Sequence, residues 1–421
     1  MPFEALGLVS PLARAAAAQG YAEPTAIQRA AIPAVLAGRD LLASAQTGSG
    51  KTAAFALPLL QKLLDGRNDP ARQLPALVLV PTRELAAQVG ETLRELARAL
   101  PVPLRIVVAA GGVSINPQLM ALRRGADVVV ATPGRLLDIV DHNALRLGGL
   151  AVLVLDEADR LLDLGFADEL QRILGLLPAR RQTLLFSATF PPAIETLAAT
   201  VLSDPLRIDI AAEPATAPDI AQRAIEVDAQ RRTQLLVKLV RDEAWARVLV
   251  FVATKHAAEI VADKLRKAGL NAEPFHGVLS QGKRTQVLED FKASRVQVVV
   301  ATDLAARGID VVQLPAVVNY DLPRSAVDHV HRIGRTGRAG EHGMALSFVT
   351  ADMEAHFRLI EKRQGKSVPR EQVAGFEPAP RAELLTEAAA AAGTGGVKGK
   401  RASKKDKLLA AAAAAAERAS G

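Results

Sequence analysis

The sequence predicts an α/β chain of two tandem domains, each a mostly parallel sheet flanked by helices, followed by a flexible, basic, alanine-rich tail. Three observations carry this. Apolar runs of strand length alternate with helix-like stretches through both halves. At 421 residues the chain is too long for one ordinary core. Composition shifts twice, at AAEPATAPDI (Ala211 to Ile220) and again past Ala382. The expected layout is a first domain over 1–210, a linker over 211–220, a second domain over 221–380 and a low-complexity tail over 381–421.

Composition narrows the partners. Apolar residues make up 49% of the chain, enough to fill two cores. The absence of cysteine excludes disulfides and thiolate metal sites and suits a reducing, cytoplasmic setting. No stretch resembles a membrane span, and MPFEALGLVS lacks the basic-then-apolar order of a secretory signal. A net charge of +7 and a pI of about 9.7 favour polyanions. Aromatic residues are only 3%, so a nucleic acid would be held by its backbone rather than by stacked bases.

The first element with chemistry is GYAEPTAIQ from Gly20. Thr25 and Gln28 have the spacing of a capping box that starts a helix. The Gln28 amide is also suited to reading an adenine edge, with Phe3, seventeen residues before Gly20, to stack on the ring. The next is AQTGSGKT, Ala45 to Thr52, between the apolar run Leu41–Leu42–Ala43 and a helix-like run to Leu64. Strand, glycine-rich turn and helix make a phosphate loop. Gly48 and Gly50 allow the tight turn, and the backbone N–H groups of Thr47, Ser49 and their neighbours face an anion at the positive end of the helix. Lys51 reaches the β- and γ-phosphates of ATP, and the Thr52 hydroxyl ligates Mg2+. Ala45 stands where this pattern usually opens with Gly.

Three strands follow, Ala76 to Val80, Ile106 to Ala110 and Asp127 to Ala131. They end in Thr82–Arg83, Gly111–Gly112 and Thr132–Pro133–Gly134–Arg135. Ligands gather at the carboxyl ends of parallel strands. One such ending is a helix cap; three in succession read as a surface along a polyanion. The run Leu150 to Leu155 is a strand buried on both faces, and it ends in Asp156–Glu157–Ala158–Asp159. An acidic pair there, with a phosphate loop next door, suits magnesium at Asp156 and a water-activating base at Glu157. Thr183 to Phe186 is one more strand, and the hydroxyls of Ser187 and Thr189 at its end are placed to bridge to Asp159.

The second half repeats the alternation with strands at Val248 to Ala253, Ala272 to His276, Val296 to Ala301, Ala316 to Tyr320 and Met344 to Val349. It has no second phosphate loop: the turn after Val248 to Ala253 is Thr254–Lys255–His256, without glycine. It carries ATDLAARGID (Ala301 to Asp310) and HRIGRTGR (His331 to Arg338), whose arginines at spacing three share one face if helical. In the tail, GTGGVKGKRASKKDK (Gly393 to Lys407) reads as either a non-specific RNA-binding arm or a solubiliser.

The order of these motifs over residues 3–375 resembles the DEAD-box RNA helicases of superfamily 2, with the name-giving tetrapeptide at Asp156 to Asp159. The stretches GGVSINPQ (Gly111 to Gln118) and VPREQVAGFEPAP (Val368 to Pro380) are similar to bacterial RhlE-type members. The resemblance implies two RecA-like domains and an ATP-dependent RNA helicase that separates short duplexes. It implies adenine contacts at Phe3 and Gln28, the triphosphate site at Gly48, Gly50, Lys51 and Thr52, and catalytic carboxylates at Asp156 and Glu157. Asp159, Ser187, Thr189, Asp303 and His331 match coupling positions; Gly308 and Asp310 match nucleotide-facing ones. Arg335 and Arg338 match the arginines that reach the γ-phosphate. RNA-backbone contacts correspond to Thr82, Arg83, Gly112, Thr132, Gly134 and Arg135, and to Thr254, Gly277, Gln281, Arg284 and Thr302. One departure is His329, where the family usually has Tyr.

The family pattern further implies a monomer acting on ribosomal or messenger RNA with little sequence preference, and partners in ribosome assembly or RNA decay. Closure of the two domains would bring the arginines to the nucleotide. Two rival readings share these motifs: a DNA helicase of the same superfamily, and an ATP-gated RNA clamp with little unwinding.

Overall fold

The computed structural model describes residues 2–45, 49–66, 74–210, 220–306, 314–337 and 343–379. The expected linker over 211–219 and the tail lie outside the described residues.

Seven strands form the first sheet: β1 (Leu41–Ser44), β2 (Ala76–Leu79), β3 (Ile106–Ala109), β4 (Val128–Ala131), β5 (Val152–Leu155), β6 (Gln182–Ser187) and β7 (Leu206–Asp209). Seven more form the second: β8 (Ile220–Glu226), β9 (Val248–Val252), β10 (Ala272–Phe275), β11 (Val298–Thr302), β12 (Ala316–Asn319), β13 (Gly343–Val349) and β14 (Arg370–Glu371). The spatial orders are β3-β4-β2-β5-β6-β1-β7 and β10-β11-β9-β12-β13-β8-β14. Strand for strand this is one order used twice, and the pairings in both sheets are parallel.

Parallel strands covered on both faces need apolar residues at every position. Val78, Val130 and Val154 point into one core with Phe55 and Phe186, while Leu77, Val129 and Leu153 point into the opposite core with Leu136 and Leu170. The second sheet divides likewise, Val248 and Val250 to one side and Leu249 and Phe251 to the other. This alternation of faces fixes each strand's register, because a one-residue slip would exchange the two cores.

The strands expected from apolar runs are present to within a residue or two at each end. Three were not expected. β7 and β14 lie at sheet edges with only partial burial, and β8 (IAQRAIE) mixes charge into its run. Ile220, expected to close the linker, opens β8.

Two placements differ from the sequence reading. The acidic strand β5 is not beside β1, because β6 runs between them. The second-half counterpart of β1 is β8 rather than β9, since each is sixth in its sheet. The turn after β8, Val227 to Arg231, has no glycine either, so the second half still lacks a phosphate loop.

Candidate functional site

The helix Lys51–Asp65 starts at Gly50, whose φ of +90° is left-handed and suits glycine alone. Lys51 is buried, and its Nζ donates to the Ala45 carbonyl at 2.5 Å, folding the side chain back over the loop. The Ser49 hydroxyl is buried with no hydrogen-bond partner among the described residues. A helix N-terminus, a buried ammonium and an orphaned hydroxyl at one turn fit a phosphate chain. Thr47 and Gly48 lie outside the described residues.

Gln28 closes the capping box on the helix Ala26–Leu36, its Oε1 accepting from the Thr25 N–H at 2.9 Å. Its Nε2 also donates to the Gly50 carbonyl at 3.1 Å. Gln28 is therefore fully buried as a strut between its own helix and the phosphate loop. Phe3, in the short helix Phe3–Leu6, is only 4% exposed and packs in the first core.

Asp156 and Glu157 leave the end of β5. Burial, with Glu157 beside it, pushes the Asp156 carboxyl up to about 7, against the opposing pull of Lys51 and of the Glu157 N–H. A carboxylate so buried needs a cation, and Thr52 opens the helix that Lys51 begins, so the donor set fits magnesium. Glu157 sits at φ +50°, a left-handed conformation that costs a non-glycine residue about 1 kcal/mol or more.

Asp159 reaches the end of β6. Its carboxylate accepts from the Ala188 N–H at 3.2 Å and the Thr189 hydroxyl at 3.3 Å. The Ser187 hydroxyl does not join it; it donates to the Thr189 carbonyl at 2.7 Å and so shapes the turn.

The expected polyanion surface occupies matching places in the two sheets. Thr82, Gly112 and Thr132 follow β2, β3 and β4; Thr254 and Gly277 follow β9 and β10, and Thr302 ends β11. Thr82 and Thr254 are the same helix cap twice, accepting from Leu85 at 3.2 Å and from Ala257 at 3.0 Å. Gly112 has φ +79°, and a Cβ there would strike the Arg83 guanidinium, which lies across it. Gly134 faces open space. Arg135 donates to the Val113 carbonyl at 3.0 Å, while its Nη1 is buried without a hydrogen-bond partner among the described residues. Gln281 and Arg284 instead turn across to the first half: Arg284 lies 2.9 Å from Glu84, with both side chains nearly buried, and Gln281 donates to the same carboxylate at 3.4 Å.

On the second half, the helix Ala326–Ile333 carries His331 and ends at Gly334. Arg335 follows the helix, in a turn that Thr336 ties to Leu314. Arg332 and Arg335 therefore do not share a helical face, because the glycine stops the helix after Ile333. Asp303 is gripped by Arg332 through two bonds of 2.6 and 2.7 Å, and Arg332 also binds Asn319 and the Asp321 carbonyl. Gly308, Asp310 and Arg338 lie outside the described residues. A small cavity between the halves is lined by Arg160, Asp303, Asp328, His331, Arg332 and Arg335, among others.

Comparison with known proteins accounts for this arrangement. Residues 25–197 match the family model for the DEAD/DEAH box helicase, and residues 231–340 that for the helicase conserved C-terminal domain. The chain is 42% identical over 383 residues to the ATP-dependent rRNA helicase rrp3 of Sclerotinia sclerotiorum, covering 89% of this chain and 78% of that one. It is 40% identical over 368 residues to the DEAD-box ATP-dependent RNA helicase CshA of Bacillus cereus, covering 87% and 69%. The chain belongs to the DEAD-box ATP-dependent RNA helicases. Among solved structures, S. cerevisiae Dbp5 bound to RNA and ADP BeF3 aligns with a TM-score of 0.78 at 30% identity, over 92% of this chain and 98% of that one. Among the described residues, no helix of the helicase is long and apolar enough to cross a membrane.

Three side chains of this helicase escaped sequence reading: Glu84, Arg160 and Asp328. Each is charged and largely buried. The available signal was a charge inside an apolar stretch, such as Arg160 in ADRLLDLGF, but its partner lies 168 residues away.

Proposed function

We propose that this helicase hydrolyses ATP at the end of the first sheet and couples it to closure over an RNA backbone. The loop from Ala45 to Thr52 binds the triphosphate, with Lys51 at the β- and γ-phosphates. Thr52 and Asp156 would hold magnesium, which when bound neutralises phosphate charge. Glu157 orients the attacking water and takes its proton. Asp159 and Thr189 tie that carboxylate turn to the end of β6, so a change at the nucleotide moves a turn facing the second half.

Arg335, with Arg338, supplies the arginines that the first half lacks for the charge developing at the γ-phosphate. Such arginines contribute about 10³–10⁵ in rate in related phosphate-loop enzymes. RNA binding is assigned to the matched strand ends: Thr82, Arg83, Gly112, Thr132, Gly134 and Arg135 on one half, and Thr254, Gly277 and Thr302 on the other. Gln281 and Arg284 would act there by holding the halves together through Glu84. ATP and RNA then each favour the closed state, and each raises the other's affinity. A Dbp5 structure bound to RNA and ADP BeF3 aligns over nearly the whole chain, which supports this reading.

The observation that carries the proposal is the division of the machinery. The buried Asp156, pushed up to about 7, and the strained Glu157 stand on one half, and the cavity holding His331 and Arg335 belongs mainly to the other. Placement among RhlE-type helicases rests on GGVSINPQ and VPREQVAGFEPAP. The test is the steady-state ATPase rate alone, with RNA and with single-stranded DNA. Strong stimulation by RNA alone is expected. Equal stimulation by DNA would overturn the RNA assignment, and a rate unmoved by either would overturn coupled closure.

A further inference from the structure

Arg160 directly follows the acidic tetrapeptide, on the helix Ala158–Asp163. It is 4% exposed, a costly place for a guanidinium unless it is paired. Its Nη1 donates to Asp163 at 3.2 Å, one turn on, and to Asp328 at 3.0 Å, on the other half. Asp163 is 54% exposed, so the less exposed partner is Asp328, at 19%.

Asp328 has a local duty as well. Ser325 caps the helix Ala326–Ile333 by accepting from the Asp328 N–H, and its hydroxyl donates to Asp328 Oδ2 at 2.8 Å. That bond from the capping hydroxyl explains one carboxylate oxygen. Oδ1 is not used by the cap and receives Arg160. The helix so gripped carries His331 and Arg332 and delivers Arg335, while Arg332 fixes its far end to Asp303 and Asn319. On the other side, Arg160 N donates to Asp159 at 3.0 Å, and Asp159 also holds Thr189. A continuous polar chain therefore runs from the turn after β6, through Asp159 and Arg160, to Asp328 and the helix bearing Arg335.

We propose that the Arg160–Asp328 ion pair is a latch between the two halves, formed on closure, that positions Arg335 and ties closure to the acidic tetrapeptide. Arg160 and Asp328 are positioning residues, acting through the helix and not on the substrate. The idea rests on the closure mechanism proposed above. It differs from the Glu84–Arg284 contact by adjoining the carboxylates rather than the β2 strand end.

The absence of cysteine allows a direct test on the intact chain. Arg98→Cys and Lys267→Cys, both exposed and one on each half, carry a donor and an acceptor dye. Energy transfer is read with a non-hydrolysable ATP analogue while single-stranded RNA is titrated. Asp328→Asn keeps an oxygen for Ser325 but loses the charge. It should need about tenfold more RNA to close, within the 5–150-fold usual for coupled sites, while ATP affinity without RNA stays at the parent value. Arg160→Gln, altered on the other half, should show the same loss, and the double variant no greater loss. Asp163→Asn should close like the parent. Closure of either single variant at parental RNA concentrations, or losses that multiply in the double variant, would overturn the latch. A parent protein that never closes would instead overturn the closure mechanism itself.

Discussion

Gln28 donates to the Gly50 carbonyl at 3.1 Å, and a Cβ on Gly50 would lie 2.4 Å from that same amide nitrogen. The start of the phosphate-loop helix and the capping box before it are thus one unit. Gln28→Glu keeps the acceptor for Thr25 and puts a carboxylate oxygen against a carbonyl. The KM for ATP is expected to rise about tenfold, equivalent to about 1.4 kcal/mol. Steady-state kinetics check this, and an unchanged KM would mean that the strut does not shape the loop.

Gly50→Ala meets two obstacles at once, the left-handed φ and the Gln28 amide. Adding Gln28→Ala removes only the second. Because Gln28→Ala also removes the strut, the double variant is expected to lose less ATP affinity than the two single losses multiplied. Isothermal titration with an ATP analogue reads this; losses that multiply would show that the Gln28 amide does not obstruct a side chain at residue 50.

Glu84 is nearly buried between Arg284 and Gln281 of the other half. Glu84→Ala leaves Arg284, whose guanidinium burial already pulls below its ordinary value, without the charge that opposes that pull. Closed states suffer and open ones do not. Half-stimulation of the ATPase should require about tenfold more RNA, or more, while the melting temperature of the ligand-free protein moves little. A large fall in melting temperature with unchanged RNA dependence would make Glu84 structural.

The fold was legible because parallel strands covered on both faces leave unbroken runs such as VLVL at Val152–Leu155. The edge strand β7 (LRID) has no such run, since it is covered on one side only. At the site, Lys51, Asp156 and Glu157 were legible because chemistry fixes both residue type and spacing. Glu84, Arg160 and Asp328 were not, because an ion pair across two domains leaves no local period. Gln28 shows the third case: both of its sequence readings concerned one amide, and only the fold reveals that the amide's other end holds Gly50.

Asp156 gives the ligand-free protein an opposite trend to ordinary acid denaturation. Its folded value of about 7 lies above the ordinary 3.8, so its penalty is absent below about pH 4 and complete above about pH 7. At 1.36 kcal/mol per unit the upper bound is about 4 kcal/mol. With magnesium chelated, Asp156→Asn should melt several degrees higher than the parent at pH 8 and gain much less at pH 4.5, although its ATPase activity is lost. A uniform difference across that range would mean that burial does not raise the Asp156 carboxyl.

His329 acts in the reverse direction. Its ring is buried against Phe357, its Nδ1 accepts from Gln364 Nε2 at 2.8 Å, and burial and Arg332 pull it down from 6.5 to about 4. The unfolded chain takes up a proton below about pH 6.5 and the folded one does not, so stability present above that value is lost between about 6.5 and 4. The whole loss is about 3 kcal/mol at most. His329→Phe removes this titration but strands Gln364, so it should melt lower than the parent at pH 7.5. The gap should then narrow as pH falls toward 5, because the other six histidines titrate alike in both proteins. Melting curves from pH 7.5 to 5 decide the matter: a gap that stays constant would show that the buried ring already carries its proton, and with it that Arg332 tolerates a second charge beside the helix that delivers Arg335.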